Sequence, residues 1–238
     1  MLPIAQSELI QIFRNRLVLV TMLVLPAAFS AFYIYLYDLV PALDLGATAA
    51  ILVFLVVVLG LYSTTVTTLA SRRQNLFLKR LRSTAAGDGE IISGLLLPVT
   101  VITLVQTAVV LGALTVFAEA PAHPLLLAAA VLSVVAMMVG LGLATAGVTN
   151  SPDHAQVTTL PVLVGVLAVS GWVGFTGTGE LTLLKRLLPG GSASELVVNA
   201  WNGGTAVADS LWLLAPTLAW VVVALVLAAR LFRWEPRV

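Results

Sequence analysis

Six long stretches without a charged residue constrain this chain more than any other feature of its sequence. Every Asp, Glu, Lys and Arg lies outside them, and they cover residues 17–36, 47–70, 93–117, 125–148, 157–176 and 211–229. About 20 apolar residues in a helix cross the hydrocarbon core of a bilayer, and a charge at mid-membrane costs about 2.5–3.5 kcal/mol. The pattern therefore predicts an all-α membrane protein with six transmembrane helices.

Composition argues against the other broad classes. The chain is 60% hydrophobic and 10% charged, whereas a soluble domain is about 45–50% apolar and about 25% charged. The net charge of +1 offers no basic field that would attract nucleic acid. Cysteine is absent, which removes thiolate nucleophiles and Cys-ligated metals. The two histidines, His123 and His154, fall in loops predicted on opposite sides of the bilayer, so we expect neither a catalytic nor a metal site.

The distribution of basic residues predicts the orientation. With the N-terminus inside, the cytoplasmic segments 1–16, 71–92, 149–156 and 230–238 hold ten of the twelve Lys and Arg residues. Cytoplasmic loops carry the excess of positive charge, so both termini are predicted to be cytoplasmic. Arg14 and Arg16 resemble the basic flank of a signal peptide, but its apolar region is about 7–15 residues long. The longer run that follows is interpreted as an uncleaved first span.

Residues 1–16 are predicted to form an amphipathic helix in the membrane interface. Pro3 suits a first helical position, and the predicted apolar face consists of Ala5, Leu9, Ile12, Phe13 and Leu17. The alternative is that this segment simply extends the first span. The fourth span carries a face of small residues, Gly140, Gly142, Ala144 and Ala146, that predicts close helix packing within or between subunits.

The segment 71–92 is the most informative of the polar connections. Phe77 and Leu81 share one side of a predicted short helix, and Arg72, Arg73, Lys79 and Arg80 surround it. Asp88 is a candidate cap for the third span. A solvated basic loop that touches anionic lipid would explain the charges. Docking of a cytoplasmic partner would explain both the charges and the exposed apolar side chains.

The longest connection, 177–210, is predicted to hold two short helices. The first covers 180–188 and ends at Pro189, and Ser192 with Glu195 matches a capping box that would open the second. Their apolar faces should dip into the outer leaflet or cover the bundle. This stretch is short for a nucleotide-hydrolysing domain, and no G-x-x-x-x-G-K-[ST] motif occurs in the sequence.

The polar side chains within the six spans are all uncharged. Ion-coupled carriers commonly use ionisable groups at mid-membrane, and none lies there in this chain. The third span instead carries a polar side formed by Thr100, Thr103, Gln106 and Thr107. Threonine hydroxyls often bond their own helix, whereas an amide in hydrocarbon needs partners. Gln106 is therefore expected either to cross-link helices or to line a pathway.

Taken together, these features resemble the permease subunits of type-2 ABC exporters, the drug, lipid and polysaccharide class. The most specific stretch is Leu78-Lys79-Arg80-Leu81-Arg82-Ser83-Thr84, which is similar to the family's signature after the second span. Leu188-Pro189-Gly190-Gly191 is also similar to many members. The sequence departs from the family where Ser71-Arg72-Arg73-Gln74 replaces a Glu-rich stretch and where Ala85 replaces a proline.

The resemblance implies a single permease domain over 1–238 in a bacterial plasma membrane. It implies a second permease subunit, identical or paralogous, and two copies of a separate ATPase that bind ATP and Mg²⁺. This chain itself would hold no cofactor, and its non-protein contact would be membrane lipid. The implied ATPase-coupling residues are Arg72, Arg73, Phe77, Lys79, Arg80 and Leu81, with Pro152 and Asp153 as a weaker contact. The polar side of the third span (Thr100, Thr103, Gln106 and Thr107) would serve as the substrate pathway.

Three alternatives remain open at the level of sequence. They are a passive channel or carrier, a membrane enzyme acting on lipids, and a membrane anchor that recruits an ATPase for signalling. The absence of a convergent acid, base or metal cluster disfavours the enzyme.

Overall fold

The computed structural model describes residues 2–37, 44–117 and 119–235, which form helices and no strand. Six of these helices are long and apolar enough to cross a membrane: Arg16–Leu36, Leu45–Gln74, Asp88–Val116, Pro124–Val148, Pro152–Thr176 and Val207–Leu231. The predicted fold class and number of spans are confirmed. Most of the predicted connection 37–46 and the basic residue Arg237 lie outside the described residues.

Two helices extend beyond their apolar windows. The second span continues to Gln74, so that Arg72 and Arg73 lie in its last turn and not in a loop. The third span begins at Asp88, five residues before the predicted window. A helix is held by hydrogen bonds between backbone groups and does not require apolar side chains. It can therefore extend past the apolar stretch into water. Asp88 is consequently the first helical residue, and its carboxylate accepts a hydrogen bond from Arg82.

The second span is the centre of the bundle. Most of its side chains are buried, whereas the first and sixth spans leave most of theirs exposed. The fourth span packs closely against two neighbours: a Cβ at Gly140 would lie 2.8 Å from the Cβ of Ala224, and one at Gly142 would lie 2.9 Å from Cγ2 of Thr65. At these two glycines, the predicted face of small residues packs within the subunit.

Two spans contain π-helical segments, Val20–Val24 in the first span and Val57–Tyr62 in the second. These segments lie against each other in the bundle. A π-helical segment inserts an extra residue into the helix and is frequent at functional sites. Sequence patterns gave no sign of either segment.

Both described termini lie at one end of the bundle, which is called the terminal end. It carries an N-terminal helix, Leu2–Arg14, a short loop helix, Phe77–Arg82, and the C-terminal segment 232–235. The N-terminal helix is confirmed, but its predicted apolar face is only partly buried. Ala5 and Ile12 pack inward together with Glu8, whereas Leu9 and Phe13 are exposed. The helix lies against the third span, and this contact decides which face is covered.

The opposite end is closed by two helices, Thr182–Leu187 and Gly191–Asn202. The second is buried among the second, fourth and fifth spans. The backbone N–H of Ala122 and that of His123 donate to the carbonyls of Trp201 and Ala200, at 3.0 and 2.8 Å. These bonds satisfy carbonyls at the helix end that have no helical partner.

The predicted capping box at this end is wrong. The Glu195 carboxylate accepts hydrogen bonds from the Arg186 guanidinium, at 2.7 and 2.6 Å, and from the Thr178 hydroxyl. This charge-assisted pair replaces the expected bonds to backbone N–H groups. The hydrogen bond to Glu195 raises the pKa of Arg186 above its usual value, against a smaller opposing effect of burial. The two helices are thereby tied together.

Candidate functional site

A cleft of about 730 Å³ with a mixed polar and apolar lining opens at the terminal end of the bundle. It lies between the N-terminal helix, the start of the first span, the end of the second and the start of the fifth. Its lining combines charged side chains (Arg14, Arg16, Asp153), hydroxyls (Thr67, Thr68, Ser71) and apolar side chains (Ile12, Leu17, Val18). Such a lining suits a molecule with both polar and apolar parts. Within the described residues, no group of three or more acidic or histidine side chains could hold a metal ion.

An ion pair connects two walls of this cleft. The guanidinium of Arg72 lies 2.9 Å from the Glu8 carboxylate and also donates to the side-chain carbonyl of Gln11. Glu8 is 2% exposed, so its charge is largely removed from water. The Arg72 guanidinium also stacks over the Phe77 ring, 5.1 Å from its centre, a cation–π contact. Arg72 therefore links the N-terminal helix, the second span and the loop helix.

Arg72→Ala should destabilise the chain by about 1–3 kcal/mol, because it leaves the buried Glu8 carboxylate without its hydrogen-bonding cation. Hydrogen exchange of residues 2–14 should accelerate as the N-terminal helix detaches. Arg14→Ala removes an exposed cation from the same cleft and should cost less than about 0.5 kcal/mol. The double substitution Glu8→Leu with Arg72→Met should recover most of the loss, since an apolar pair replaces an ion pair well. Unchanged exchange in Arg72→Ala would contradict the linking role.

The loop helix presents a basic surface to solvent. Asn75 and Leu76 separate it from the second span, and Leu76 adopts a left-handed conformation with φ of 56°. Leu78 is completely buried and anchors the helix, while Lys79 and Arg80 are exposed. Phe77 and Leu81 were predicted to form an exposed apolar face, but they are half-buried. The exposed part of this helix is therefore mainly cationic.

The C-terminal segment packs against the loop helix, which the sequence analysis missed. Arg82 lies over the Trp234 ring at 5.0 Å, and Lys79 lies 3.1 Å from the Glu235 carboxylate. Phe232 supports Trp234 in an edge-to-face contact at 5.4 Å. The pair of aromatic residues directly after the last span was a possible signal in the sequence. These contacts fix the loop helix from a second side.

Arg73, predicted to contact a partner, is 2% exposed in this structure. Its guanidinium donates to the carbonyls of Ala146, at 2.8 Å, and Thr149, both near the end of the fourth span. It also donates to the carbonyl of Arg233 at 3.4 Å. Arg73 therefore joins the second and fourth spans to the C-terminal segment and does not belong to the exposed basic surface. Pro152 and Asp153 line the cleft.

The polar side chains of the third span do not line the cleft. Thr103, Gln106 and Thr107 are buried, and Thr100 is half-buried. The Thr100 and Thr107 hydroxyls donate to carbonyls of their own helix, and the Gln106 amide donates to the Leu23 carbonyl at 2.9 Å. This geometry corresponds to the cross-linking alternative for Gln106. The pathway role of these four residues stays a prediction.

Comparison with known families gives one match. A family model described as ABC-2 type transporter matches residues 3–175, which include the N-terminal helix, the loop helix and nearly all of the first five spans. No curated protein matches the chain.

Proposed function

This chain belongs to the ABC-2 type transporter family, and on that basis we propose that it is the permease subunit of an ATP-driven exporter. It is a multi-pass membrane protein and the permease part of an ABC transporter, not the nucleotide-binding part. Members of this family typically pair with an ATPase subunit. The further steps of the proposal concern how that partner binds and what is moved.

The loop helix is the proposed docking element for the ATPase. The observation that carries this proposal is the exposed pair Lys79 and Arg80 on a helix held from two sides. Arg72 and Phe77 brace it toward the N-terminal helix, and Arg82 braces it against Trp234. A push on a braced helix is transmitted to the second span and to the N-terminal helix. Leu81 and the residues Pro152 and Asp153 would form the remainder of the contact.

The cleft is the proposed loading site for an amphipathic substrate such as a drug, lipid or peptide. Its apolar side chains would contact the tail, and its hydroxyl and charged groups would contact the head. ATP and Mg²⁺ would bind to the ATPase, of which two copies are proposed. A second permease, identical or paralogous, would cover exposed apolar faces of this subunit, and transport would run outward.

The terminal end is the proposed cytoplasmic side of a bacterial plasma membrane. It carries the five basic residues of 71–92 together with Arg14, Arg16, Arg230 and Arg233, as expected for the inner side. An ATPase in the cytoplasm would therefore face the loop helix and the cleft.

Charge reversal on the loop helix tests the proposal. Arg80→Glu should weaken ATPase binding at least about tenfold, because like-charge repulsion would replace attraction across the contact. Binding is measured by co-purification and by ATP turnover of the reconstituted complex. Arg230→Glu reverses an exposed charge at the same end and should leave both unchanged. Equal behaviour of the two variants would contradict the docking role.

Reconstitution separates the competing functions. In vesicles without an ATPase, the chain should move no substrate against a gradient; uphill movement without nucleotide would overturn the proposal. A passive channel would let substrate move down its gradient without an ATPase, and the loop-helix substitution would not change that rate. A signalling anchor would bind the ATPase but show no ATP-dependent transport.

A further inference from the structure

Two buried oxygen atoms of the third span have no hydrogen-bond partner in the described part of the chain. They are Oγ1 of Thr103 and Oε1 of Gln106. Thr103 is fully buried and Gln106 is 8% exposed, and both lie near the middle of the Asp88–Val116 span. Leaving a buried polar atom unsatisfied is destabilising, and hydrocarbon offers no alternative partner. Native structures seldom leave such atoms unpaired.

Gly60, which has no side chain, lies beside them. A Cβ at this position would lie 3.3 Å from the Met22 carbonyl oxygen, 3.4 Å from Thr103 Oγ1 and 3.8 Å from Gln106 Oε1. These three oxygens are the nearest atoms outside its own turn and its chain neighbours. A single point beside Gly60 of the second span is therefore surrounded by three oxygens, one from the first span and two from the third.

The chemistry of the three oxygens selects the occupant. The carbonyls of Met22 and Gln106 can only accept hydrogen bonds, while the Thr103 hydroxyl can donate one. A water molecule can donate its two hydrogens to the two carbonyls and accept the hydroxyl hydrogen, so it would satisfy all three groups at once. Buried waters typically make about three hydrogen bonds of this kind. A monovalent cation would repel the hydroxyl hydrogen unless the hydroxyl turned away.

We propose that one ordered water molecule binds beside Gly60 and bridges Met22, Thr103 and Gln106 in the middle of the membrane. It connects the π-helical segment of the first span, which contains Met22, to the third span, and it lies beside the π-helical segment that contains Gly60. The direct bond from Gln106 to Leu23 lies next to it. A bridging water re-forms its bonds when helices shift, so it links the first and third spans without fixing their relative position. This inference does not depend on the ATPase or the substrate.

A double-mutant cycle tests the water. Gly60→Ala should lower the melting temperature in detergent by about 4 °C or more, because the methyl group displaces the water and leaves the side-chain oxygens of Thr103 and Gln106 unpaired. Thr103→Val with Gln106→Met removes those atoms at nearly constant volume. In that background, Gly60→Ala should cost at least about 3 °C less. The steric contact with Met22 is the same in both backgrounds and cancels. Equal costs in the two backgrounds would overturn the proposal.

Two further measurements keep the test decisive if Gly60→Ala does not fold. Thr103→Val alone should lower the melting temperature, because the water loses a partner. A rise would mean that the hydroxyl was unpaired in the native chain, which overturns the proposal. Replacing choline chloride by sodium or potassium chloride at equal ionic strength should leave the native melting temperature unchanged. A cation-dependent rise that disappears in Thr103→Val with Gln106→Met would identify a cation as the occupant instead.

Discussion

Arg73→Leu is expected to lower the free energy of unfolding by about 3–5 kcal/mol, because each buried carbonyl left without its donor costs about 1–3 kcal/mol. The Arg73 guanidinium donates to the carbonyls of Ala146 and Thr149, where the fourth span ends. Carbonyls at a helix C-terminus have no helical partner and carry partial negative charge. A leucine would leave them buried and unpaired, so the second and fourth spans would separate at this end.

Thermal unfolding of the purified chain measures this effect. Arg230→Leu is the matched control, because it removes an exposed guanidinium from the last turn of the sixth span. The control should shift the melting temperature only slightly. If the two variants melted at the same temperature, Arg73 would not stabilise the bundle in the way proposed.

Gly191→Ala should have the larger effect and prevent accumulation of folded protein. A Cβ at Gly191 would lie 1.7 Å from the carbonyl oxygen of Lys185 and 2.8 Å from its carbonyl carbon. Both are backbone atoms, which cannot move aside as a flexible side chain can. Lys185 is itself held in place, because its buried ammonium donates to the Thr176 hydroxyl and the Gly177 carbonyl at 2.7 and 2.6 Å. The backbone at Lys185 therefore cannot shift to make room for the added methyl group without breaking these hydrogen bonds.

Yield and monodispersity after detergent extraction measure this second prediction. The matched control is Gly165→Ala, at an exposed position of the fifth span where no atom outside the neighbouring turns of its own helix lies within 4 Å of the Cβ position. It should behave like the native chain or slightly better, because alanine favours helix more than glycine does. A well-folded Gly191→Ala protein would show that the contact between the two short helices is looser than described.

Several errors of the sequence analysis share one cause. The sequence pattern did not include Glu8 in the apolar face of the N-terminal helix. Glu8 is nevertheless buried, because Arg72 of the second span, 64 residues away in the chain, pairs with its carboxylate. Ser192 and Glu195 matched a local capping pattern, but Arg186 offered the carboxylate a charged partner. Arg73 was grouped with the exposed basic residues, although fourth-span carbonyls surround its guanidinium. In each case a distant or competing group decided the outcome, and local spacing does not contain that information.

Local chemistry was sufficient for the number and approximate position of the spans and for the short helix after the second of them. The cost of placing a charge in hydrocarbon applies to each residue separately, so it is visible in the order of residues alone. Contacts between distant parts of the chain decide which helix faces meet. They also place Gly60 beside Gln106 and hold the C-terminal segment against the loop helix. Those contacts exist only after the helices have packed, and tertiary structure alone decided them.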